Sequence, residues 1–220
     1  MHLSLIGQSR QTVSKTLEQI AENLNNLGFN VSKEQIINPI IILNYFIKDN
    51  NIQSHYFIGP DYLKKSITKS NDYTIPEYVI LCDFEYIECN YTLFNTVFQY
   101  IKNGSKIIAT TYSNYYISKN EYKMDTGIFV KMYETLCNQK AIIMGKPSNI
   151  IYKTVVEILK TDPKDIMTIG DDILTDIIGG QELEIETTLV KSGKYKEGDE
   201  KANKPDNIIN TLSEAIIWYK

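Results

Sequence analysis

The chain is poor in the residues that mark secreted scaffolds, membrane proteins and dedicated metal cages. Among 220 residues there are three cysteines, two histidines and one tryptophan. Cys82, Cys89 and Cys137 are odd in number and lack C-x-x-C spacing, which speaks against a disulfide framework or a thiolate metal site. The N-terminal stretch MHLSLIGQSR has no long apolar run, so neither a signal peptide nor a membrane span is expected, and the expected compartment is the cytoplasm. A charge excess is lacking too. Lys plus Arg number 23 against 27 Asp plus Glu, a net charge of −4, which gives no electrostatic case for nucleic acid or an anionic membrane as partner. The 16 tyrosines and 7 phenylalanines, without basic patches beside them, read as core and interface filling rather than base stacking. No Gly-rich phosphate loop follows any expected strand, which leaves a nucleotide-binding doubly wound domain without support.

What is present is ordinary for a globular protein, with 43% hydrophobic and 23% charged residues. Val13, Leu17, Ile20, Leu24 and Leu27 recur at helical spacing after the short apolar run His2–Ile6, with Ser9 as a candidate N-cap and Gly28 as the stop. Ser32-Lys33-Glu34-Gln35 is a capping-box pattern, and Asn38-Pro39 can open an apolar helix through Phe46. Strands are expected at Tyr56–Ile58, Tyr78–Leu81, Lys106–Ala109, Ala141–Met144, Ile166–Ile169 and Thr187–Val190. Helices are expected at Thr92–Lys102, Thr126–Cys137, Ser148–Lys160, Ile173–Ile178 and Leu212–Trp218, with Gly193–Asp206 as a polar loop. Strands alternating with helices imply βαβ crossovers, hence an α/β fold with a mostly parallel sheet.

Two segments carry chemistry. Met144-Gly145-Lys146-Pro147-Ser148 and Ile169-Gly170-Asp171-Asp172-Ile173-Leu174-Thr175-Asp176 are both strand ends turning directly into helices. Ligands of open α/β sheets bind outside the carboxyl ends of strands. A lysine beside the unpaired N–H groups of a helix start receives phosphate, and carboxylates at a neighbouring edge suit Mg²⁺, which takes one or two of them plus waters and phosphate oxygens. A cation and a lysine flanking one phosphoryl group neutralise charge developing during transfer. Taken singly, G-D-D is also a common N-cap and G-K-P an ordinary loop. Their occurrence at successive strand ends favours phosphoryl chemistry, with Lys146 and Asp171 expected to face one pocket at adjoining sheet edges.

These residues resemble the haloacid dehalogenase superfamily, specifically subclass IIA, the nitrophenylphosphatase and sugar-phosphate phosphatase group. The resemblance extends through "VSKEQII", "YVILCDFEYIECNY", "GSKIIAT", "DTGIFVKMYETLCNQKAIIMGKPS" and "IMTIGDDILTDIIGG" followed by "ETTLVKSGKY". It implies a Rossmann-like core of residues 1–37 and 125–220 interrupted by an α/β cap of residues 38–124. It also implies a Mg²⁺-dependent phosphatase of a small phosphorylated metabolite. By this resemblance Lys146 is catalytic and binds phosphate, Ser9 and Arg10 contact substrate, Asp171 binds Mg²⁺, and Asp176 supports the metal or orients the lysine. Asp172 stands where such phosphatases often have Asn.

The pattern is departed from in three places. The family's first strand ends in D-x-D-G, whose first Asp attacks phosphorus and whose second protonates the leaving group; here Met1 falls after that point, and no D-x-D pair occurs anywhere. Leu5-Ile6-Gly7-Gln8 replaces the hydroxyl-bearing second motif, and Ala109-Thr110-Thr111-Tyr112-Ser113 replaces A-T-N-P-D in the cap. Without a carboxylate nucleophile the expectation is an inactive chain with weakened Mg²⁺ binding. The alternatives are a truncated or split phosphatase, and a pseudoenzyme acting as a binding or structural subunit. A homodimer or a protein partner covering an incomplete sheet is expected on the same grounds.

Overall fold

In the computed structural model, residues 5–6, 16–26, 30–85, 87–118, 120–146 and 148–215 are described. They divide into two units, Met1–Gly145 and Lys146–Lys220.

The first unit opens with β1 (Leu5–Ile6), paired in parallel with β2 (Ile36–Ile37). Helix α1 (Leu17–Asn26) starts after Thr16, whose side chain accepts from the Gln19 N–H while Gln19 Oε1 accepts from the Thr16 N–H. That reciprocal pair is a capping box, and Ile20 and Ala21 then turn inward onto Ile36. Ser9, expected as the cap, lies outside the described residues. The Ser32–Gln35 box does form. Asn38 caps α2 (Pro39–Asp49) by accepting from the N–H groups of Ile40 and Ile41, and Pro39 occupies the first turn where no N–H is needed.

A parallel sheet follows in the order β3-β4-β5-β8, from β3 (His55–Ile58), β4 (Tyr78–Leu81), β5 (Lys106–Ala109) and β8 (Ile142–Ile143). Val79, Ile80 and Leu81 of the central β4 have no exposed surface, as a strand covered on both faces requires. Helices α4 (Tyr91–Lys102) and α5 (Thr126–Cys137) supply Val97, Ile101, Val130 and Tyr133 to the same core. The short α3 (Asp61–Lys64) links β3 to β4. Between β5 and α5 stands an antiparallel hairpin, β6 (Tyr115–Ser118) and β7 (Glu121–Met124), which the sequence pattern did not announce.

The second unit is built on a three-stranded parallel sheet, β11-β10-β9, from β9 (Met167–Gly170), β10 (Glu186–Val190) and β11 (Asn207–Ile209). Helix α6 (Asn149–Leu159) precedes β9, with Ser148 accepting at its start from the Ile150 N–H. A π-helical turn, Ile173–Ile177, runs into α7 (Ile178–Gln181), where an uninterrupted α-helix was expected. The short helices α8 (Asp199–Ala202) and α9 (Leu212–Ala215) complete the unit, and α8 falls inside the stretch expected as loop. The architecture is thus α/β, with parallel pairing in every described sheet except the hairpin, as expected. Among the described residues, β8 pairs with β5 and β9 pairs with β10.

Candidate phosphate and cation site

The second unit gathers its polar side chains where β9 ends. Gly170 closes the strand, and the chain turns through Asp171 and Asp172 into the π-helical turn. Asp172 caps that turn, accepting from the N–H groups of Leu174 (3.1 Å) and Thr175 (3.3 Å). The Asp176 N–H in turn donates to the Asp172 carbonyl at 2.8 Å. The wider π winding carries Asp176, buried at 5% exposure, back against the end of its own strand. This fit is possible only because residue 170 is glycine: a Cβ there would overlap the Asp176 carboxylate.

Asp176 is the hinge of the site. Its Oδ1 accepts from the Lys146 ammonium, and its Oδ2 accepts from the Asp172 N–H at 3.3 Å. The Lys146 side chain is only 16% exposed and the Asp176 side chain 7%, so the pair is largely withdrawn from water. In such surroundings an ion pair must be well made, since each charge has lost hydration. Behind it, the Tyr152 hydroxyl on α6 is shared between the carbonyls of Thr175 (2.9 Å) and Asp176 (3.2 Å). Burial, and then the charge of Asp176, push the Tyr152 phenol well above its usual range, so it remains a donor.

The other wall comes from the loop after β10. The Lys194 N–H donates to Asp171 Oδ2 at 2.7 Å, and the Lys194 ammonium lies 3.2 Å from Asp172 Oδ2. Gly193 makes this approach with φ of +58°, and a Cβ there would overlap Asp171 Oδ2, so backbone conformation and space both call for glycine. Burial opposes ionisation of Asp172, but Lys194 and the capping N–H groups hold its carboxyl below the usual range.

Among the described residues, no three His, Cys, Asp or Glu side chains come together as a metal cage. The donors do suit a hydrated Mg²⁺ shared with a phosphate, which needs one or two protein carboxylates. Asp171 is held by a backbone N–H, the kind of outer support that fixes a metal-ligating carboxylate. Three carboxylates here, Asp171, Asp172 and Asp176, face two ammonium groups, Lys146 and Lys194. That leaves one net negative charge, which disfavours an incoming phosphate until a cation is added.

Of the residues singled out from the sequence, Lys146, Asp172 and Asp176 join one hydrogen-bonded chain, and Asp171 joins it through Lys194. Ser9 and Arg10 lie outside the described residues. Lys194, Gly193 and Tyr152 were not anticipated. The S-G-K run after an apolar strand, at the edge where ligands of open sheets bind, was the available signal for the first two.

The chain resembles several known proteins. A family model for HAD-like hydrolases matches residues 143–215. A phospholysine phosphohistidine inorganic pyrophosphate phosphatase of Xenopus laevis is 30% identical over 207 residues, covering 91% of this chain and 75% of that protein. A haloacid dehalogenase-like hydrolase domain-containing protein 2 of Rattus norvegicus is 26% identical over 201 residues, covering 88% and 74%. The fold matches a p-nitrophenyl phosphatase from Archaeoglobus fulgidus with a TM-score of 0.85 at 20% identity, over 98% of this chain and 85% of that one. It matches NagD from E. coli K-12 with a TM-score of 0.83 at 21% identity, over 96% and 84%. The chain belongs to the haloacid dehalogenase superfamily of hydrolases. Within it, the chain falls in subclass IIA, with a Rossmann-like core and an α/β cap.

Proposed function

We propose that the strand-end site binds the phosphoryl group of a small phosphorylated metabolite, with Lys146 as the phosphate-contacting residue and Asp171 as the carboxylate facing Mg²⁺. The observation that carries this reading is the Lys146–Asp176 ion pair, a largely buried ammonium held by a carboxylate that accepts from the Asp172 N–H and packs against Gly170. Asp176 is then the residue that orients the lysine. A Mg²⁺ ion at Asp171 would supply the positive charge that the two lysines leave short, and would polarise the phosphoryl oxygens. Lys146 itself binds and orients the phosphoryl group. Ser9 and Arg10 remain candidate substrate contacts on the sequence pattern alone.

The proposal includes the core of residues 1–37 and 125–220 and the cap of residues 38–124. One departure from these bounds is favoured: Ile142–Ile143 pair with Ile108–Ala109 of the cap sheet, so that short strand is proposed to belong to the cap rather than the core. No helix among the described residues is long and apolar enough to cross a membrane. A cytoplasmic place, and partners limited to the metabolite and a second protein chain, remain part of the proposal.

The family reaction needs an attacking carboxylate from a D-x-D pair, and these 220 residues contain no such pair. The chain by itself is accordingly proposed to bind phosphate without appreciable turnover. Inorganic phosphate titrated calorimetrically in Mg²⁺ should bind, and Lys146→Met should weaken it at least about tenfold, since a charge-assisted contact is lost. Equal binding by that variant would sink the assignment. Mg²⁺-dependent hydrolysis of p-nitrophenyl phosphate, abolished by Asp171→Ala, would instead establish catalysis. The alternative of a non-catalytic binding subunit draws support from the altered cap loop, where Tyr112 donates to Glu134 at 2.6 Å and Lys131 lies 4.7 Å from the Tyr112 ring centroid.

A further inference from the structure

Asp171 and Asp172 are adjacent carboxylates at one strand end, and a divalent cation arriving there would meet both. The loop after β10 treats them differently. Its main chain supports Asp171, through the Lys194 N–H at 2.7 Å, which leaves the carboxylate charge intact and fixes its direction. Its side chain takes Asp172, placing an ammonium 3.2 Å from Oδ2, while Oδ1 is already committed to the N–H groups of Leu174 and Thr175. The Asp172 side chain is 19% exposed and that of Lys194 73%, so the pair stands at the rim of the site. The left-handed Gly193 brings both contacts about at once.

We propose that Lys194 is a positioning residue that selects between the twin aspartates, presenting Asp171 to a bound cation and withholding Asp172 from it. Lys194 thereby acts as a built-in competitor for the second carboxylate and keeps the cation weakly held. An ion held by one protein carboxylate keeps coordination positions for phosphate oxygens, whereas one held by two is bound more tightly and is less available to them. The inference rests on the reading of Asp171 as the cation-facing residue.

The test uses Mn²⁺ alone as the probe, with affinity read from the electron paramagnetic resonance signal of the free ion. Lys194→Met should tighten Mn²⁺ binding about tenfold, because Asp172 is released and a nearby positive charge is removed. Adding Asp172→Asn to that variant should return the affinity to the starting value, and Lys194→Arg, which keeps the charge, should leave it unchanged. Thermal melts identify any variant that fails to fold, and Lys194→Gln then replaces Lys194→Met. An affinity that is unchanged or weaker without the ammonium overturns the proposal, as does a gain that survives Asp172→Asn. Failure of the underlying reading has a different signature: Mn²⁺ binding to the otherwise unaltered chain would be indifferent to Asp171→Asn.

Discussion

Two parallel strands, β4 and β9, are built on opposite terms. Val79, Ile80 and Leu81 of β4 are wholly buried between β3 and β5 and packed by α4 and α5. Each residue of β9 is only half-buried, and among the described residues β9 has a single partner, β10. The strand that holds its unit together is apolar and enclosed. The strand that presents chemistry is short, ends in glycine, and gives its space to charged side chains. On the proposed reading, stability and phosphate binding are carried by different sheets, and substitutions in the two should fail in different ways.

The largest loss is expected in the enclosed strand. Leu81→Ala removes a fully buried side chain and leaves a cavity, a change that typically costs about 2–5 kcal/mol. Urea denaturation should show that loss, with little change in phosphate affinity for whatever fraction stays folded. A smaller stability loss is expected at the end of β9. Gly170→Ala forces a methyl group against Asp176, and overpacking of this kind costs about 1–3 kcal/mol. Because Asp176 holds Lys146, phosphate affinity should fall roughly tenfold as well, the scale of one lost charge-assisted contact. If Gly170→Ala melted lower but bound phosphate normally, Asp176 would not be what orients the lysine.

The same contrast explains what could be read from the sequence. β4 was legible to the residue, because an unbroken apolar run between turn signals has few other uses. Lys146 and Asp171 were legible as strand-end residues, since motif and position coincide. The pairing of β8 with β5 was not, because β8 is two residues long and the contact joins residues far apart in sequence. The hairpin was hidden for another reason. Its residues Tyr115–Met124 mix tyrosine with polar side chains, and Tyr115, Tyr122 and Met124 are exposed, so the residues of described burial show no alternation. The contacts of Lys194 were not legible, because they depend on Gly193 adopting a left-handed turn, a backbone fact that no side-chain pattern announces.

The two units also each hold a carboxylate with a depressed pKa, and acid should separate them. Burial opposes the charge of Glu134, yet the Tyr112 hydroxyl (2.6 Å), the Ala141 N–H (2.9 Å) and Lys140 (3.6 Å) bring it below the usual range. Asp172 is held down by an exposed lysine and two capping N–H groups. A carboxyl depressed in the folded state adds stability that is complete above its unfolded pKa, about 4, and is lost as pH falls through the folded value. Glu134→Gln should thus lower the unfolding free energy at neutral pH, by about 1–3 kcal/mol for a buried charge-assisted contact. Asp172→Asn should cost less than about 1 kcal/mol, because Asn caps a helix as well as Asp and an ion pair with an exposed lysine is weak. In both variants the gap to the unaltered chain should close on acidification below about pH 4. A gap that widened there would mean that folding raises these pKa values, and the hydrogen bonds drawn to the two carboxylates would be wrong.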